Sequence, residues 1–304
     1  MEHSLVTLDK CPSCGNDSFN NHLEATDYTY SKQGFSLVKC SSCTLVFTNP
    51  RPDEASIGKY YDNPDYVSHT DTKSGLLFTI YSLVKSRALR EKRKLLENLT
   101  TGRTALDYGA GTGDFSAELA NNGWSVTSYE PDSNAEAKIT EKSNKISLSD
   151  SIHTLQKESY SCVTLWHVLE HVHKLKETLS TFNNLLERQG ALIIAVPNYN
   201  SYDAAFYQEN WAAYDVPRHL YHFDFESMKT LVENQGFILK EIKPMWFDST
   251  YVSLLSEKNQ NSNNGVQSVI GWLRASIIGL ISNVLAIRDK KKCSSIIYIF
   301  EKAK

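Results

Sequence analysis

The chain has 304 residues, of which 41% are hydrophobic, and its 32 Lys plus Arg stand against 35 Asp plus Glu for a formal net charge of −3. That length can hold two units with a globular core, and the near balance of charge leaves no overall basic field for nucleic acid or an anionic membrane surface. Met1-Glu2-His3-Ser4 lacks the basic-then-apolar run of a secretory signal, and four of the six cysteines sit in C-x-x-C pairs, so the expected location is the cytoplasm.

The pairs come first in the chain. Cys11-Pro12-Ser13-Cys14 and Cys40-Ser41-Ser42-Cys43 are two turns 25 residues apart. Each directs two thiolates at one point, and together they complete the closed tetrahedral set that structural zinc prefers. Residues 1–50 are therefore expected to form a zinc ribbon held by Cys11, Cys14, Cys40 and Cys43. Four protein ligands leave the metal no open position for catalysis. Between the outer cysteines Asp17, Glu24 and Asp27 outnumber Lys32 and Lys39, so no nucleic-acid partner is expected. Residues 51–100 read as a linker and helices, with an aromatic cluster at Tyr60, Tyr61 and Tyr66. Residues 76–99 carry apolar positions at helical spacing beside a basic face (Lys85, Arg87, Arg90, Lys92, Arg93, Lys94) that reads as solvated surface, with contact to an anionic substrate such as a nucleotide diphosphate as the alternative.

The chain is organised around Leu106-Asp107-Tyr108-Gly109-Ala110-Gly111-Thr112-Gly113-Asp114-Phe115, which reads as strand, glycine turn, helix, with Asp114 as the cap. A second apolar run, residues 124–129, ends on Glu130, 23 positions after Asp107, where a Rossmann-like unit places its ribose-binding carboxylate. The sixth position of G-x-G-x-x-G is Asp114, and carboxylates at Asp107 and Asp114 oppose the pyrophosphate of a dinucleotide. S-adenosylmethionine suits them better: it offers an ammonium to Asp107, a ribose diol to Glu130, and no phosphate. Here the sequence resembles the class I S-adenosylmethionine-dependent methyltransferases, whose first motif is an acid followed by G-x-G-x-G, over about residues 100–300.

Strand and helix then alternate: strands at 145–148, 161–166 and 191–196, a helix at 174–188 ended by Gly190, a helix from its cap Asp224 to Asn234, and strands at 237–242 and 295–300. The total is seven strands. Residues 246–294 form an insertion whose apolar part, 266–287, is interrupted by Gln267, Arg274, Ser276 and Asn283 and reads as core or lid helices, not as a membrane span.

His167-Val168-Leu169-Glu170-His171 fits H-x-x-E-H, in which two histidines one helical turn apart would ligate a peptidase zinc and Glu170 would be the base. It also falls where the methyltransferases carry a similar motif after the fourth strand. The resemblance implies that Trp166 and His167 line the cofactor pocket, that Asp150 contacts adenine, and that His171 lies near the transferred methyl. A second dense segment, residues 211–223, contains Asp215, Arg218, His219 and His222 on the connection after the fifth strand, over the carboxyl ends of the sheet. With the ribbon and the H-x-x-E-H segment it resembles the branch that includes sugar C-methyltransferases. Those enzymes carry a Glu-His pair with histidine as base, and here Arg218 replaces the glutamate, leaving O- and N-methylation open.

The expectation is thus an α/β protein: a Rossmann-like seven-stranded, mostly parallel sheet with helices on both faces, occupying 101–304 behind the ribbon. It would be a methyltransferase acting on a small-molecule acceptor, such as a nucleotide-linked sugar or glycan precursor. Asp107, Gly109, Gly111, Gly113, Glu130, Asp150, Trp166 and His167 would bind the cofactor, His219 would be the base with Asp215 as its partner, and His171 and His222 the competing bases. A non-catalytic binding protein of the same fold is the alternative.

Overall fold

The computed structural model describes residues 4–61, 76–260 and 269–303; Tyr66 and the sequence after Gln260 up to Ser268 lie outside them. The N-terminal part forms β1 (Leu5–Val6), β2 (Phe19–Thr26), β3 (Gly34–Cys40), β4 (Val46–Thr48) and β5 (Arg51–Pro52). Helix α1 (Leu76–Leu99) then leads into β6 (Thr104–Tyr108), α2 (Asp114–Asn121), β7 (Ser125–Tyr129), α3 (Ser133–Lys142), β8 (Ile146–Leu148), β9 (Tyr160–Trp166), α4 (Leu175–Leu185) and β10 (Leu186–Pro197). After them come α5 (Tyr202–Tyr207), β11 (Tyr221–His222), α6 (Phe225–Glu233), β12 (Phe237–Pro244), α7 (Asp248–Gln260), α8 (Val269–Arg288) and β13 (Ser295–Lys302).

Seven strands form the central sheet in the order β12-β13-β10-β9-β6-β7-β8. Only β13 runs against its neighbours, so the sheet is the expected mostly parallel, Rossmann-like one. Its side chains alternate between two cores. Ala105, Cys162 and Ile193 pack with Leu96 of α1 and Phe115 and Leu119 of α2, while Leu106, Val163, Leu165 and Ile194 pack with Phe182 of α4 and Leu231 of α6. Both faces are covered, which is why the central strands read as continuous apolar runs.

One boundary differs from expectation. The helix expected over 174–188 stops at Leu185, and Leu186 already pairs with Tyr160 in the sheet. Leu175, Leu179, Phe182 and Leu186 keep helical spacing to the end, so periodicity hides the switch; the register shift between Leu186 and Ala191 marks it in space.

The ribbon shares its core with the larger unit. β11 joins β4, β3 and β2 as the edge of a four-stranded sheet, with Tyr221 opposite Phe47 and His222 opposite Val46. Phe35, Leu37 and Val46 pack with Tyr207, Trp211, Tyr214 and Val216. The segment preceding β11 is therefore clamped against the ribbon. Helices α7 and α8 pair through small residues, Ser249, Ser253 and Ser256 on one side and Gly271, Ala275, Gly279 and Ser282 on the other, all buried. Helix α8 has the length and mean hydropathy (1.7) of a membrane span, but it is one helix, a third of it buried, and is no clear span.

Candidate active site

The turn between β6 and α2 is built on Gly109, Gly111 and Gly113, all with positive φ (73°, 54° and 75°). At Gly109 no side chain fits, because a Cβ would lie 2.5 Å from Val168 Cγ2; the turn thus abuts the 167–171 segment. Gly113, in the left-handed conformation, caps α2 without a side chain. Asp114, expected as the cap, is instead the first helical residue. Its carboxylate is bonded by Lys85 and Lys142, both at 2.8 Å, and despite burial these ammonium groups hold it down at about 2.

Asp107 is buried and accepts hydrogen bonds from Ser116 Oγ (2.6 Å) and Thr164 Oγ1 (3.0 Å); burial raises its pKa against these donors. Glu130 Oε2 accepts from the Gly111 amide at 2.7 Å and Oε1 from the Asp132 amide at 3.1 Å, which braces the glycine turn. A cleft of about 240 Å³ opens here, lined by Asp107, Gly109, Gly111, Phe115 and Trp166 and, from α1, by Leu89 and Lys92. Lys92 Nζ stands 4.1 Å over the Trp166 ring. Burial lowers its pKa while Asp248 and Asp107 oppose that fall. Nothing in the spacing of Lys92 separates it from its basic neighbours on α1, and only the packing of α1 against α2 brings it, and not them, to the cleft. Glu130, Gly113, Asp150 and His167 do not line the cleft: Gly113 closes the turn behind it, and Asp150 is exposed beyond β8.

His167, expected in the pocket wall, adopts φ 58° and turns to α7, where Nε2 lies 2.9 Å from Asp248 and Nδ1 3.5 Å from Glu170. Burial works against its charge, but Asp248 and Glu170 win and raise its pKa to about 10. Leu169–His171 is a single 3-10 turn and the His167 Nε2 is taken by Asp248, so the two histidines share no helix face and the peptidase arrangement does not form.

The chain instead brings His171 and His219 together, their rings edge to face at 4.7 Å. His171 Nδ1 lies 3.0 Å from the Arg218 carbonyl and 2.9 Å from the Tyr61 hydroxyl; burial and His219 push its pKa down to about 4, so it is neutral at pH 7. His219 Nδ1 lies 2.8 Å from the Ala213 carbonyl, a pure acceptor, which assigns the proton to Nδ1 and the lone pair to Nε2. Asp215, expected to orient this ring, approaches Nε2 only to 3.9 Å, beyond hydrogen-bond range. It is engaged by Arg218, whose Nε and Nη2 reach it at 3.0 and 2.6 Å.

A second carboxylate near the two histidines is Glu170. It is fully buried, and neither oxygen accepts a hydrogen bond of ordinary geometry among the described residues. Burial pushes its pKa up, yet His167, His219 and His171 hold it down on balance. Ligand atoms of Glu170, His171 and His219 lie within 4.8 Å of one another. His222 is set apart: it is buried with Nε2 3.4 Å from Thr48 Oγ1, and burial lowers its pKa well below the usual range.

In the ribbon, Cys11 Sγ and Cys43 Sγ lie 3.5 Å apart, as do those of Cys14 and Cys40, and all four fall within 4.8 Å of one another. The bond from the Cys11 thiol holds Cys43 down at about 5. This donor set fits a tetrathiolate metal site.

A family profile described as "Methyltransferase domain" matches residues 82–242, more than half of the chain. No curated protein matches the sequence. Among solved structures, the chain is similar to Burkholderia thailandensis 1,6-didemethyltoxoflavin-N1-methyltransferase, solved with 1,6-didemethyltoxoflavin and S-adenosylhomocysteine, at TM-score 0.50 and 14% identity over 92% of this chain and 100% of that one. It is also similar to Haemonchus contortus phosphoethanolamine N-methyltransferase 2, solved with phosphomonomethylethanolamine and S-adenosylhomocysteine, at TM-score 0.51 and 16% identity over 85% of this chain and 63% of that one. Identities this low carry the fold and not the substrate.

Proposed function

This chain belongs to the methyltransferase-domain family and is an S-adenosylmethionine-dependent methyltransferase, and from that premise we propose that it methylates an oxygen or acidic carbon of a small polar acceptor, with nucleotide-linked sugars and other glycan precursors the favoured class. The observation that carries the reading is the His219 Nε2 lone pair beside neutral His171, whose own segment, 167–171, abuts the glycine turn through Val168. S-adenosylmethionine, when bound, supplies an electrophilic methyl on a sulfonium. Asp107 suits its ammonium and Lys92 its carboxylate by charge, and Glu130, which braces the glycine turn beside the cleft, is the acceptor for its ribose diol. His219 takes the acceptor proton at Nε2, and Glu170 stabilises the imidazolium that results. Turnover to S-adenosylhomocysteine with a panel of nucleotide sugars tests the acceptor class; turnover restricted to amines or phenols would reject it.

Lys92→Ala and Glu130→Ala are each expected to weaken S-adenosylmethionine binding by about 1.5 to 3 kcal/mol, the worth of a hydrogen bond to a charged group. Calorimetry reads the effect, and unchanged affinity in both would remove these two contacts from the assignment.

We also propose one structural zinc per chain on Cys11, Cys14, Cys40 and Cys43. Metal analysis of reduced protein is expected to find it. Because β4 pairs with β11, Cys14→Ser should disturb the acceptor side and lower methyl transfer more than cofactor affinity.

The His167–Asp248 pair has a pH signature. His167 is raised from its ordinary 6.5 to about 10, so the stability it contributes is fully present below pH 6.5 and is lost as pH rises through 10. The melting-temperature gap between the parent and Asp248→Asn is expected to be larger at pH 7 than at pH 10.5.

A further inference from the structure

One face of α8 has no part in the chemistry above. Ile270, Leu273, Ile277, Leu280, Val284 and Ile287 follow a 3-4-3-4-3 spacing, and each is between 49% and 74% exposed. Ile, Ile and Val occupy the first position of each repeat and Leu, Leu and Ile the second, the composition of a two-stranded coiled-coil seam. The opposite face is pinned to α7: at Gly279 a Cβ would lie 2.7 Å from Thr250 Cα. A rigid helical hairpin therefore presents the seam outward.

We propose that this seam is the interface of a homodimer, α8 of one copy packing on α8 of a second. Val269 and Trp272, 76% and 52% exposed, widen the strip at its N-terminal end, and Arg274, Ser276 and Asn283 border it. Among the 20 residues of α8 the only charges are Arg274, which Glu257 engages at 2.6 and 2.5 Å, and Arg288. Two copies therefore meet without like-charge repulsion along the seam. In a parallel pair each first-position side chain meets its own copy and each second-position side chain likewise, so the strip is isologous about a two-fold axis. Six side chains leaving roughly 100 Å² each give about 1,200 Å² for the pair, the lower edge of stable specific interfaces.

Light scattering of the full chain at about 10 μM is expected to give twice the 34.4 kDa chain mass. The double variant Ile277→Lys, Leu280→Lys and its glutamate counterpart should each run at the single-chain mass with parental S-adenosylmethionine affinity, and mixing the two should restore the dimer. A single-chain mass for the parent up to roughly 100 μM overturns the proposal. So does a dimer mass that persists in both double variants, or a parent that is monomeric alone and sediments with phosphatidylglycerol vesicles. Failure of the dimer leaves the methyltransferase reading untouched, since turnover is measured separately.

Discussion

His219→Ala is expected to lower methyl transfer by about 10² or more while S-adenosylmethionine affinity stays within about twofold, because a general base acts on the acceptor proton and not on the cofactor. The ring is held for that role: its Nδ1–H is spent on the Ala213 carbonyl, which leaves Nε2 as the only basic atom. Truncation also leaves that carbonyl without its donor, so thermal melts must accompany the kinetics. His219→Asn offers an amide to Ala213 but no base, and it should be as slow as the alanine variant while melting closer to the parent. Near-parental turnover in the asparagine variant, measured with the true acceptor, would move the role to His171. Glu170→Gln should be slower by a smaller factor, since it removes the charge that stabilises the imidazolium but keeps the lone pair on Nε2.

The second large effect is on folding. Arg218→Ala is expected to destabilise the protein by about 3 to 5 kcal/mol, the cost of breaking a buried ion pair by removing one partner. The guanidinium is 1% exposed and its donors are spread over three parts of the chain: Asp215 beside it, the Tyr60 carbonyl at 3.0 Å and Asp27 of the ribbon at 3.3 Å. Removing it leaves Asp27, itself fully buried, with only the hydrogen bonds of its own turn, from the Thr29, Tyr30 and Ser31 amides and the Ser31 hydroxyl, and unties the ribbon from the acceptor segment. Denaturant midpoints read the loss. Arg218→Lys should recover only part of it, because one ammonium cannot reach all three acceptors in the planar geometry that the guanidinium offers. A variant as stable as the parent would mean that Arg218 is not the tie between the two parts.

The strand, glycine turn and helix around Asp107, the apolar strands buried on both faces and the two C-x-x-C turns were legible in the sequence because each is a local pattern: a period, a spacing, or a residue type that the backbone requires within a few positions. From them followed the seven-stranded sheet, the placement of Asp107, Gly109, Gly111 and Trp166 at one cleft, and the family. What the sequence could not decide were choices between partners far apart in the chain. Lys92 was one of six basic residues on a helix until α1 packed on α2. Arg218 looked like a missing glutamate until Asp27, 191 positions away, received it. His167 looked like a pocket residue until Asp248 took its Nε2, and Asp215 looked like the partner of His219 until Arg218 held it 3.9 Å from Nε2. A side chain's charge can be read from its identity, but its partner depends on which elements the hydrophobic cores bring within about 4 Å, and that is a property of the packed fold.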